Sequence, residues 1–210
     1  MAVEQLQVEK RMRIALANNL YLFRPSRDFV MQVLDQQTRC ALSYDQVGAS
    51  EHGPVEGWDW HRESRTVGKG EGVWFRSKEA LGSWSQFDMS WVFPHDRSVP
   101  IEVGANFAFT SRHMGLWSVH VCRIVHTIDD VQSGVRRYGF AYGTLEQHAV
   151  RGEELFLLEL DEVSGEVRFV IQKFSKPAMW IARMAAPLTR HLQAKFTHDA
   201  LRRFEREVGA

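Results

Sequence analysis

The 210-residue chain balances 26 Lys and Arg against 26 Asp and Glu, and 44% of its residues are hydrophobic, a composition able to bury one sizeable core. Charge neutrality disfavours nucleic-acid binding, which needs clustered positive charge to displace counterions. No uninterrupted apolar run of about eighteen residues suggests a membrane span. Cys40 and Cys122 lie far apart in no metal-ligand spacing and fit two reduced thiols in a cytoplasmic protein. Glu4, Glu9, Lys10, Arg11 and Arg13 interrupt what would have to be the apolar part of an export signal.

Residues 3 to 17 carry Val3, Leu6, Val8, Met12 and Leu16 in a charged background, a modest helical pattern with a face for docking on the domain or on a second copy. Ser26 is the expected N-cap of a short amphipathic helix through Phe29, Val30, Val33 and Leu34 that ends near Gln37. The Gly-, Ser- and Pro-rich passage over 38–58 reads as irregular connection. A first strand follows at Trp58 to Val67, then a helix from Glu71 to Trp84. GKGEG between them lacks the spacing of a phosphate loop and reads as a turn. Period-two patterning then predicts strands at Gln86 to Phe93, Ile101 to Arg112, Leu116 to Ile128, Arg136 to Thr144, Glu153 to Asp161 and Glu166 to Phe174. The breaks between them are too short for parallel crossovers, so the sheet is expected to be antiparallel. Ser175 is the expected cap of a long amphipathic helix from Lys176 to Arg206, with Trp180, Met184, Leu188, Leu192 and Phe196 on its apolar face and a kink at Pro187.

Strand, helix, a run of strands and a long closing helix is the order of the helix-grip fold of START-like and birch-pollen-allergen-like proteins. The segments SYDQVGA, GKGEGVWFRSKEAL, CRIVHTID, YGFAYGTLEQHAVRGEELF and FSKPAMWIARMAAPLTRHLQ resemble the uncharacterised family called domain of unknown function 1990. The resemblance spans about residues 40 to 206 and implies an α+β domain whose curved sheet of about seven strands wraps the C-terminal helix around a cavity. It implies no catalytic residues. The expected organisation is an N-terminal helical extension over 1–37, a helix-grip domain over 38–206 and a tail over 207–210.

Candidate site residues follow from the strand faces. Tyr138, Phe140 and Tyr142 share one face and suit a core or cavity wall, whereas Gly139, Ala141 and Gly143 on the other admit a close neighbour. RYGFAY lacks the strand order and basic partner strand that aromatic RNA recognition requires. Glu153 and Glu154 point to opposite sides, so they cannot act as a pair. Glu154 shares its side with Phe156, and His148 in the preceding loop is a second acid/base candidate. His120, Cys122 and His126 alternate along a strand, but His126 lies about 13 Å beyond Cys122, so no metal site is expected, nor any other cofactor.

The expected function is binding of a small, largely apolar ligand lined by Tyr138, Phe140, Tyr142, Glu154, Phe156, His120, Cys122, Trp180 and Met184. One alternative is a hydrolase, cyclase or isomerase using Glu154 or His148 in the same cavity. The other is an interaction module built on the N-terminal helix.

Overall fold

The computed structural model describes residues 20–146, 148–178 and 186–209. In chain order the elements are β1 (Leu20–Tyr21), α1 (Arg27–Gln37), β2 (Asp59–Lys69), α2 (Glu71–Gly82), β3 (Val92–Pro94), β4 (Asn106–His113), β5 (Leu116–Gln132), β6 (Val135–Thr144), β7 (Val150–Asp161), β8 (Glu166–Pro177) and α3 (Ala186–Val208). Seven strands form one curled antiparallel sheet in the order β2-β8-β7-β6-β5-β4-β3, and β1 adds a short pairing to β5. Helices α2 and α3 lie on the inner face, the helix-grip arrangement expected from the element order. The helical pattern at 3–17 falls outside the described residues, as do Trp180 and Met184.

Local chemistry explains most boundaries. Ser26 caps α1 through its hydroxyl, which accepts the Phe29 N–H at 3.2 Å. Met114-Gly115 and Ser133-Gly134 both have positive φ at each residue (49° and 83°, 52° and 78°), the conformation that lets two residues join strands whose twist is right-handed. They set the β4–β5 and β5–β6 registers, closing on His113↔Leu116 and Gln132↔Val135.

Three expected elements differ. Gln86 to Phe93 is not a strand: the chain reverses at Trp84 (φ 61°) into a short 3₁₀ turn, and only Val92–Pro94 pairs. Burial decides this, because Phe87 drops fully into the core against Phe107, Phe109, Phe156 and Phe196, and filling that space outweighs local alternation. β4 begins at Asn106 rather than Ile101, since Gly104 (φ 93°) turns the chain just before it. Lys176 and Pro177 belong to β8 opposite Arg151 and Val150, so Ser175 caps no helix. The described part of α3 starts at Ala186. The expected kink falls largely on residues outside the description.

Of the three hydrophobic clusters on the sheet among the described residues, two flank the site. The inner one joins Phe140, Phe156, Phe169 and Ile171 to Trp74, Leu81 and Trp84 and to Ala200, Leu201 and Phe204 of α3. The outer one seats Phe29 and Val30 of α1 on Ala108, Trp117, Val119 and Val121. The close approach expected beside Gly139, Ala141 and Gly143 is made at Gly143 by Tyr44: a Cβ there would overlap the phenol ring. Among the described residues no helix is long and apolar enough to cross a membrane.

Candidate functional site

On the inner face, Tyr142 of β6, Glu154 of β7 and Lys173 of β8 are directly in register. Three polar side chains thus stand in a row across three strands. All are more than nine-tenths buried, at 6%, 9% and 8% exposure. Tyr142 donates to Glu154 Oε2. Lys173 Nζ lies 3.5 Å from Glu154 Oε1, close enough to pair charges but without a hydrogen bond, and Oε1 receives none among the described residues. The ammonium instead donates to Gln193 O at 3.0 Å and Thr197 Oγ1 at 2.6 Å, tying the sheet to α3. Burial, with the Glu154 charge beside it, pushes the Tyr142 hydroxyl and the Cys122 thiol above their ordinary ranges, so both stay protonated at neutral pH.

The walls are aromatic. Tyr142 packs against Phe87, Phe107 and Phe156 at 5.3–6.4 Å between ring centres. Phe140 sits two residues further along the same face, fully buried. Tyr138 is on the same face but some 13 Å from Tyr142 along the strand, under Lys78, whose Nζ is 4.0 Å from the ring centre; it does not join the polar row.

His120 forms a second polar cluster. Its Nε2 is 2.8 Å from Ser111 Oγ and 2.9 Å from Ser118 Oγ, and its Nδ1 is 3.0 Å from His148 Nε2. His148 Nδ1 lies 2.8 Å from Val150 O and 3.1 Å from Val150 N. The two imidazoles therefore form a wire that either tautomer set can satisfy. Burial lowers the His148 pKa from 6.5 to about 4, and burial with the neighbouring His148 lowers that of His120. Unfolding releases the His148 ring to take up a proton between those values, and the lowered His120 acts in the same direction, so stability is full above about pH 6.5 and falls as pH drops. For His148 alone the loss between pH 7 and 4.5 is roughly 2 kcal/mol. Urea titrations at these pH values should show a smaller difference in His148→Gln than in the parent; equal slopes would refute the assignment.

His126 parts from His120 and Cys122. The β5–β6 register shifts between Ile124 and His126, and a bulge of this kind sends the following side chains to the opposite face. His126 Nε2 ends 3.0 Å from Glu51 on the outer surface. Among the described residues no three His, Cys, Asp or Glu side chains converge as metal ligands.

Glu153 points outward, as its alternation with Glu154 requires, yet it is only 3% exposed. Its Oε2 accepts from Tyr44 Oη at 2.7 Å and Gly48 N at 2.8 Å, and its Oε1 from Ser50 N at 3.0 Å and Ser50 Oγ at 2.5 Å. This single carboxylate pins the irregular 43–58 passage to the back of the site. Lys173, Thr197, Ser111 and Ser118 were not singled out from sequence, although Lys173 continues the inward alternation Val167, Phe169, Ile171 and could have been found there.

The family model described as "Domain of unknown function (DUF1990)" matches residues 43–203. A UPF0548 protein from Deinococcus radiodurans is 35% identical over 205 residues, covering 90% of this chain and all of the relative. One from Arabidopsis thaliana is 32% identical over 146 residues, covering 69% of this chain and 70% of the relative. Among solved structures, the chain is similar to the hypothetical protein jhp0584 from Helicobacter pylori (TM-score 0.49, 12% identity, 72% of this chain and 88% of that one). It is also similar to Ara h 8.0201 (TM-score 0.40, 12% identity, 72% and 98%). With the model spanning most of its length and a full-length relative alongside, the chain belongs to the DUF1990 family.

Proposed function

We propose that the inner face of the sheet binds a small, largely apolar molecule bearing one hydroxyl or N–H group, with Glu154 as its polar anchor. The observation that carries this reading is the unused oxygen. Glu154 Oε1 is buried, next to aromatic walls, with no hydrogen-bond donor among the described residues, and a buried acceptor left unpaired costs about 1–3 kcal/mol. A ligand donor placed there removes that cost. Phe140, Phe156 and Cys122 supply the apolar surroundings, while Tyr142 and Lys173 fix the carboxylate. Trp180 and Met184 remain proposed lining residues, and His120 with His148 offers a second polar wall.

Native mass spectrometry of the purified protein tests for a co-purified small molecule, and fluorescence titration with 2-naphthol and naphthalene tests the anchor. The hydroxylated compound is expected to bind about ten-fold tighter, the worth of one hydrogen bond of about 1.4 kcal/mol, with the preference reduced in Glu154→Gln. No co-purified molecule together with no saturable binding of either compound would end this reading.

A further inference from the structure

A second recess lies outside the sheet, between the start of α1 and the end of β3. We propose that it binds the phosphoryl group of a small soluble molecule. The cleft has a volume of about 560 Å³, and Arg24, Arg27, Arg97, His95, Asp96 and Phe93 are among its walls, a size within the usual range for small-molecule sites.

The guanidinium groups are unevenly satisfied. Arg97 is held by Asp88, and Asp96 is occupied by the N–H and hydroxyl of Ser98 at 2.9 and 2.6 Å. Arg24 and Arg27 have no acidic partner within 4 Å among the described residues. Arg24 is nevertheless held in place, its Cζ lying 4.8 Å from the Phe93 ring centre and 5.4 Å from that of Trp117. Stacking of this kind orients the guanidinium plane and leaves its in-plane N–H donors free. Setting Asp96 and the Asp88 that holds Arg97 against Arg24, Arg27 and Arg97 leaves one positive charge locally, in a chain whose total is zero.

The oriented fork of Arg24 and the unpaired guanidinium of Arg27, beside a local excess of about one positive charge, match a phosphoryl anion, whose oxygens accept paired N–H donors. Phe93, Pro25 and Pro94 give an apolar ledge for an attached organic group. The case rests on these side chains and not on the start of α1, since Ser26 Oγ is already used by the Phe29 N–H. Arg24 and Arg27 precede the family-matched residues 43–203.

His95 supplies an internal reporter. Its ring sits in the same cleft, 3.2 Å from Thr110 Oγ1, and burial with the charges of Arg24 and Arg27 holds its pKa below the ordinary range. An anion seated on those arginines offsets their field, so the His95 ring signal in NMR is expected to titrate at higher pH when phenyl phosphate is added. Calorimetric titrations at low salt should show saturable binding of phenyl phosphate and weaker binding of inorganic phosphate. Arg24→Gln and Arg27→Gln, both at exposed positions, should each reduce the affinity for phenyl phosphate roughly ten-fold and reduce the ligand-induced His95 shift, with unchanged circular dichroism. Absence of saturable binding to both phosphates overturns the proposal, as does equal affinity in the two variants. Capture only by vesicles containing phosphatidate would also overturn it, because the phosphoryl group would then belong to a membrane.

Discussion

Glu153→Gln is expected to destabilise the protein by about 3–5 kcal/mol, more than any exposed carboxylate substitution. The reason lies in how the four hydrogen bonds are divided. Each carboxylate oxygen accepts one backbone N–H, from Gly48 on one side and Ser50 on the other. An amide presents only one acceptor, so whichever way it is turned its NH₂ faces a backbone N–H that cannot rotate away. The hydroxyls of Tyr44 and Ser50 can reorient; the two peptide groups cannot. One charge-assisted bond of about 1.5–3 kcal/mol is lost outright, another is weakened, and a buried donor is left without an acceptor. In a domain of this size each kcal/mol shifts the melting temperature by about 2–4 °C, so thermal unfolding should move down by roughly 10 °C. Limited proteolysis should also cut within 43–58 before the rest unfolds, because Tyr44, Ser50 and the Gln172 side chain that reaches Ser50 O all depend on this anchor. A loss below about 1 kcal/mol, the level usual for surface changes, would show that the loop is held by other contacts.

How far these arrangements could be read from sequence depends on whether local or distant contacts decide them. The α1 cap, the hairpin turns and the opposite orientation of Glu153 and Glu154 follow from short-range chemistry, and they were legible. Phe87 was misplaced because a core void between α2, β4 and α3 claims its ring, and no local pattern announces such a void. His126 was assigned to the wrong face because a bulge at Val125 inverts the alternation, and nothing in CRIVHTID marks one. The end of β8 was misread since Pro177 suits a first helical turn as well as a strand end; pairing with Val150 settles it. For the site, Tyr142 and Glu154 were found by strand parity. Their third member, Lys173, was not singled out, although the alternate residues before it, Val167, Phe169 and Ile171, are apolar and buried.

Lys173→Met carries the other large expected effect, and its double mutant assigns the cause. Methionine keeps the apolar stem as far as Cε, but it removes the cation that pairs with Glu154 among the described residues. Breaking a buried pair by deleting one partner typically costs about 3–5 kcal/mol, because the remaining charge stays buried without compensation, whereas replacing both partners is often close to neutral. Lys173→Met with Glu154→Gln should therefore recover most of the loss in chemical denaturation, even though it carries two changes. Lys173 also tethers α3 through Gln193 O and Thr197 Oγ1, which gives a competing explanation with a different signature. If the tether dominates, the double mutant stays as unstable as the single one, and amide exchange speeds up along α3 around Gln193 in both. Recovery would mean that an apolar interior tolerates the site without its ion pair. The Glu154–Lys173 pair would then be dispensable for folding, and its presence would be accounted for by what it offers a bound molecule.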